Sequence, residues 1–164
     1  MAIERLIISL CLTLCLSLPS RAAAIADSLG NGCPVVEMPV QRLPDLNIAR
    51  AGHATVAAGG EIVVFGGHTH GFVPTPTAER YSNGVWHVMP MVYTHDQALM
   101  VPLHTGRILL AGGHEQSLGI GQTFTLELYD PATHTFEGFG CLDTKRAYAD
   151  GTALGGGKVV ISGN

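Results

Sequence analysis

The feature that most constrains this chain is a pattern that occurs three times. Glu61-Ile-Val-Val-Phe-Gly66-Gly67 is matched by Arg107-Ile-Leu-Leu-Ala-Gly112-Gly113, and Lys158-Val-Val-Ile-Ser-Gly163-Asn164 matches both. Each copy has a glycine before the charged residue (Gly60, Gly106, Gly157), then four mostly aliphatic residues, then a Gly-Gly or Gly-Asn pair. Gly66 and Gly112 lie 46 positions apart, and Gly112 and Gly163 lie 51 apart. That period belongs to a supersecondary unit that buries its apolar faces only against its neighbours. A second alignment runs alongside: Glu79-Arg-Tyr81 matches Glu127-Leu-Tyr129, with Trp86 five residues after Tyr81 and Phe136 seven after Tyr129.

Each piece of the repeat has a physical reading. A short apolar run such as 62–65 suits a strand covered on both faces. The glycine before it permits a tight hairpin, and the pair after it lets the backbone turn where a side chain would clash. Ser82-Asn83-Gly84 reads as the turn between the strands that carry Tyr81 and Trp86, and residues 130–134 as its counterpart. The first unit is therefore expected to hold four short antiparallel strands at about 54–58, 61–65, 77–81 and 85–89. Composition agrees with an all-β chain. There are 21 glycines without a Gly-X-Y period, which excludes collagen. Hydrophobic residues make up 46% and charged residues 13%, which excludes disorder. The net charge of −4 includes only nine basic residues, so the basic stripe that nucleic-acid binding needs is missing.

A glycine doublet after an aliphatic strand, then a tyrosine, then a tryptophan or other aromatic, resembles the kelch repeat of β-propellers. The residues that carry the resemblance are Gly66, Gly67, Tyr81, Trp86, Gly112, Gly113, Tyr129, Phe136 and Gly163. It implies an all-β fold of kelch-type blades, each of four antiparallel strands. Residues 42–91 form the first repeat, 92–142 the second and 143–164 part of a third. Two departures are visible: Phe136 stands in place of tryptophan, and Asn164 in place of glycine. A ring still packs at the first, and asparagine tolerates a left-handed backbone at the second. Propellers close with about four to eight blades. The expectation is thus an incomplete propeller with exposed sheet edges, its remaining blades supplied by a longer chain.

Residues 1–26 read as a secretory signal. Arg5 opens it, and a 13-residue apolar run from Leu6 to Leu18 follows, shorter than the roughly 20 residues that span a bilayer. Pro19 ends the run, and the small residues at 22–26 suit cleavage. No membrane span is then expected after processing, and residues 27–41 form a lead-in segment. Cys33 and Cys141 remain beyond the signal, either as a disulfide or as two unlinked thiols.

Eight histidines fall outside the signal. His68 and His70 follow the first doublet and His114 the second. If residues 68–70 were extended, both histidines would share a face, but Pro74 and Pro76 suggest a polar loop instead. No Cys or carboxylate nearby completes a metal set, so no metal or cofactor is assigned. Arg50, His53, His95, Asp96, Arg146 and Asp150 sit near the start of the first long strand of each unit. They are read either as a polar ligand-binding rim at one mouth of the propeller or as braces between neighbouring blades. No phosphate loop, nucleophile elbow or zinc-protease helix is present, and no catalytic residue is assigned.

The function expected is that of a secreted binding or scaffold module for protein or glycan partners. The alternative, implied by the kelch resemblance, is a carbohydrate-active propeller enzyme of the galactose-oxidase-like or sialic acid epimerase-like kind. The mature protein should begin near Ile25 or Asp27 and be exported. Mass spectrometry of protein from the producing cell checks this, and an intact Met1 in the cytoplasm overturns it.

Overall fold

The apolar runs and glycine turns place the strands where the repeat requires them. The computed structural model describes residues 40–163. The signal segment, most of the 27–41 lead-in, Cys33 and Asn164 lie outside the described residues. Residues 40–43 are irregular and belong to a separate preceding unit, and residues 44–163 are described below.

The first blade runs Ala54–Ala58 (β1), Glu61–Phe65 (β2), a short hairpin of His68–Thr69 (β3) and Val73–Pro74 (β4), then Thr77–Ser82 (β5) and Val85–Pro90 (β6). The second runs Leu99–Pro102 (β7), Ile108–Ala111 (β8), a hairpin of His114–Gln116 (β9) and Ile120–Gln122 (β10), then Thr125–Asp130 (β11) and Thr135–Cys141 (β12). The third consists of Asp150–Leu154 (β13) and Lys158–Ser162 (β14). Blade sheets are antiparallel meanders, ordered β1-β2-β5-β6 and β7-β8-β11-β12, with β13 paired to β14. The described residues are thus all-β and form an incomplete propeller. No helix among the described residues is long and apolar enough to cross a membrane.

The different spacing of the aromatic pairs comes from turn length. Tyr81 lies opposite Trp86 across a two-residue turn, Asn83-Gly84, with both residues in the left-handed region (φ 52° and 86°). Tyr129 lies opposite Phe136 across a four-residue loop, where Asp130 Oδ1 accepts from the Ala132 N–H at 2.8 Å. Both pairs are in tilted ring contact, with centroids 5.1 Å and 4.8 Å apart. The segment after the first doublet, expected as a loop, instead folds into β3–β4, with His68 opposite Pro74 and Thr69 opposite Val73. Proline is tolerated there because the strand is two residues long and lies at an edge.

Successive blades pack face to face, and the side-chain alternation of the central strands sorts the contacts. Leu110 and Tyr129 of the second blade face the first, where they meet Val63, Phe65, Ala78 and Met89. Leu109, Ala111 and Leu128 point the other way, against Ala149, Ala153, Val159 and Ile161 of the third. Phe65 contacts Tyr129 edge-on with centroids 5.3 Å apart.

The glycine doublets close the strands against the next blade. Gly66 and Gly112 have φ of 57° and 66°, and a Cβ on either would overlap a backbone carbonyl, His95 in one case and Arg146 in the other. Neither the conformation nor the space accommodates a side chain. Gly112→Val is expected to destabilise by more than about 1 kcal/mol, the scale of a disfavoured backbone conformation. His70→Ala, on the exposed hairpin tip, should cost under about 0.5 kcal/mol. Urea melts of both variants check the contrast, and equal midpoints refute it.

Candidate functional site

At one mouth of the propeller three short segments lead into the inner strands: 50–52, 95–97 and 146–148. Their equivalence follows from hydrogen bonding. Gly67 N–H donates to the His95 carbonyl at 3.0 Å, as Gly113 N–H does to Arg146 at 2.7 Å. Ala51 pairs with His68, and Asp96 with His114, as isolated antiparallel bridges. Third members are linked in sequence: Gln97 N–H donates to Gly52 at 2.9 Å, and Tyr148 N–H to Gln97 at 3.0 Å. All three are left-handed, with φ of 65°, 54° and 55°.

The first members are anchors. Arg50 reaches the Gly66 carbonyl at 2.8 Å, the Thr77 carbonyl at 2.6 Å and Glu79 Oε1 at 2.9 Å, and both charged side chains are fully buried. Glu79 also accepts from the backbone N–H groups of Asn47 and Ile48, at 2.8 and 3.0 Å. The second blade repeats this with a shorter side chain. His95 Nδ1 meets the Gly112 carbonyl at 2.7 Å, and its Nε2 lies 3.2 Å from Glu127 Oε2. Glu127 accepts from the Val92 and Tyr93 N–H groups at 2.6 and 3.3 Å. In the third blade Arg146 bonds the Gly163 carbonyl. Glu79 and Glu127 were not among the residues singled out as a site. Their signal was a carboxylate at the same place in two aligned strands, between residues that have to be buried.

The remaining residues of interest divide by burial. The Asp96 side chain is buried and accepts His68 Nδ1 at 2.8 Å, joining the first doublet's hairpin to the second blade's inner segment. His114 occupies the place of His68, but the residue corresponding to Asp96 in the third blade is Ala147. Its Nδ1 accordingly has no hydrogen-bond partner among the described residues, and its ring packs against Tyr148 with centroids 5.5 Å apart. His53 and His70 are exposed, and Asp150 opens β13. Partial burial of the His53 ring, helped by the Arg50 charge, lowers its pKa. Cys141 is an exposed thiol with no disulfide partner among the described residues.

Above this inner layer, β3–β4 and the 114–122 hairpin lie side by side, tied by a bond from Leu118 N–H to the Phe72 carbonyl at 3.2 Å. Their tips are apolar and open to solvent: Phe72 is 55% exposed and Leu118 70%, with Val73 and Ile120 beside them. Both tip residues are left-handed, at φ 56° and 64°. Phe72 leans on the His68 ring with centroids 4.9 Å apart, and a cleft of about 300 Å³ opens between 49–51 and 68–72.

The opposite end holds a polar cluster between the first two blades. Glu61 contacts Arg80 at 2.8 Å and His134 at 3.1 Å. A Ser82 hydrogen bond chiefly, then the charges of Arg80 and His134, hold its carboxyl below the ordinary value. Tyr129 is pushed up to about 12, first by burial and then by the Glu61 charge.

The fold and the repeated rim are those of consecutive propeller blades. Residues 49–90 match the family model for the kelch motif. Among solved structures, one similar chain is a fungal alcohol oxidase, described as having catalytic diversity among the AA5 family and determined in complex with copper. It aligns with a TM-score of 0.57 and 22% identity, over 67% of this chain and 26% of that one. This chain thus spans about a quarter of that enzyme's length, and the likeness is one of fold. No curated protein matches.

Two predictions follow from the ion pairs. Arg50→Ala leaves Glu79 buried without its cation and should cost about 3–5 kcal/mol, whereas Arg107→Ala, in the exposed pair with Glu137, should cost under about 1 kcal/mol. Chemical denaturation of both variants checks this. Because the folded Glu61 carboxyl lies below its ordinary 4.5, its contribution is present above that pH and is lost as pH falls through the lowered value. Glu61→Gln should therefore reduce the loss of stability below pH 4.5, read from denaturation midpoints across pH.

Proposed function

We propose that this is a secreted binding or scaffold module whose partner, a protein or a glycan, docks on the paired hairpins at the rim. The observation that carries the reading is the pair of exposed apolar tips, Phe72 and Leu118, held out in left-handed conformations. Such a conformation costs roughly 1–2 kcal/mol for a residue other than glycine. Apolar side chains fixed at that cost in solvent, over a cleft edged by His68, Thr69 and His70, suit contact with another molecule. The hairpins stand on a braced frame, which keeps the contact surface ordered before binding. Export rests on the apolar run of residues 6–18 and the small residues that follow.

The alternative of a propeller enzyme draws on the likeness to the copper-containing alcohol oxidase. The residues present do not fit a copper centre built from this stretch alone. Among the described residues no three His, Cys, Asp or Glu side chains converge to hold a metal ion, and His68 Nδ1 is engaged by Asp96. Tyr81 and Tyr129 are packed in aromatic pairs within their blades.

The test is a glycan array and a crosslinking screen of secreted proteins, run with the natural chain and with a Phe72→Ser/Leu118→Ser variant. Binding that falls at least tenfold in the variant, at an unchanged melting midpoint, supports the reading. Binding that the variant retains in full overturns it.

A further inference from the structure

The end of the molecule opposite the hairpins carries a depression of about 500 Å³, within the roughly 300–1,000 Å³ of small-molecule sites. Its walls come from the first two blades, each with all four strands in place. Gly59 of the β1–β2 turn forms one wall. Thr105, Gly106 and Arg107 of the β7–β8 turn form the second, and Asp130, Pro131 and Ala132 at the start of the β11–β12 loop form the third.

The third wall is peculiar to the second blade. The first blade makes the same connection with two residues, Asn83-Gly84, whereas the second uses four, 131–134. The longer loop reaches the turn of the first blade, where a Cβ on Gly59 would lie 3.1 Å from the Pro131 Cβ.

The walls are held by their own bonds before anything binds. Leu103 N–H donates to the Arg107 carbonyl at 2.8 Å, and Gly106 N–H to the Leu103 carbonyl at 3.0 Å. His134 N–H donates to the Asp130 carbonyl at 2.9 Å, and the His134 ring ties the loop to Glu61 at 3.1 Å. A frame fixed in advance lowers the ordering cost of binding.

The chemistry of the walls selects among ligands. Arg107 can only donate, and its pairing with Glu137 steadies the guanidinium. Asp130 can only accept. One of its oxygens takes the Ala132 N–H at 2.8 Å, which leaves the other as an acceptor. The Thr105 hydroxyl can do either, while Pro131 and Ala132 present aliphatic surface. A ligand of net charge is attracted by one of the two charged walls and repelled by the other. A neutral ligand with adjacent hydroxyls gains from both. An extended peptide finds no open edge here, because β2 and β8 are each paired on both sides.

We infer that this depression is a second binding site, for a neutral sugar unit. Arg107 donates to one hydroxyl, Asp130 accepts from its neighbour, and the C–H face of the ring lies on Pro131 and Ala132. The site is separate from the hairpin tips and does not rest on the reading proposed for them.

The test is an NMR titration of the ¹⁵N-labelled 164-residue chain with maltose, cellobiose and lactose. Sialyllactose serves as the charged counterpart of lactose, and a pool of short peptides as the other class of ligand. Saturable shifts of the amides at 59–60, 105–107 and 130–133 are expected with at least one neutral sugar. Ala132→Trp, on the exposed loop, fills the depression and should weaken that sugar at least tenfold at an unchanged melting midpoint. Arg107→Ala should weaken it at least threefold. The Phe72→Ser/Leu118→Ser chain, altered at the other end, should bind the sugar as the natural chain does. Several results overturn the inference: no neutral sugar moving these amides, full binding by both Ala132→Trp and Arg107→Ala, or sialyllactose binding more tightly than lactose. So does a peptide that moves these amides where the sugars do not. Sugar binding lost only in the Phe72→Ser/Leu118→Ser chain overturns this site while leaving the hairpin reading intact.

Discussion

The blades depend on a carboxylate buried at the centre of the third strand. A segment arriving from one blade has to turn sharply to enter the inner strand of the next, and its amides lose water as it does so. Glu79 supplies the acceptor for Asn47 and Ile48, and Glu127 for Val92 and Tyr93. The negative charge is in turn tolerable because of these amides and the basic side chain beside it, Arg50 hydrogen-bonded to Glu79 in one blade and the His95 ring next to Glu127 in the other. That same partner reaches the doublet carbonyl, so one side chain ties together the inner segment, the second strand and the third. A buried pair of this kind adds little net stability over an apolar replacement, but it fixes the geometry that its neighbours share.

The doublets have the complementary role. Where Gly66 and Gly112 turn, the backbone of the following blade lies too close for a side chain, so blades meet through main chain at the rim and through side chains in the layers between. Rigid contacts at both levels leave the hairpins beyond the doublets as the part of each repeat able to vary. The two hairpins differ accordingly in length and in chemistry while keeping the same starting histidine. His68 finds a carboxylate in the next blade and His114 does not, because the third blade has Ala147 where the second has Asp96.

Much of this frame was readable from the amino acids. The four strands of the first blade, the aromatic pairs and the doublet turns follow from apolar runs punctuated by glycine, signals carried within a few consecutive residues. The β3–β4 hairpin was not legible, since Gly71, Pro74 and Pro76 mark an irregular segment and a two-residue ladder leaves no periodicity. The duties of Arg50, His95 and Asp96 were open between rim and brace, because sequence gives their position in the repeat and not the direction of the side chain. The structure turns all three inward. Glu79 and Glu127 were visible as an alignment, but their partners lie some thirty residues earlier, where local pattern says nothing.

The left-handed ladder of Gly52, Gln97 and Tyr148 bears on how such a chain can diversify. Its links are made by backbone atoms alone, so the identity of each side chain is free of the bond that holds it in place. Within one molecule the same position has already become a bare hydrogen, an amide and a phenol. Gln97 and Tyr148 show that the link survives very different side chains, whereas Gly52 has no room for one, since a Cβ there would lie 2.6 Å from Asp96 Oδ1. Novelty at the mouth of the propeller is in this sense open at two of the three positions and closed at the one that faces a carboxylate.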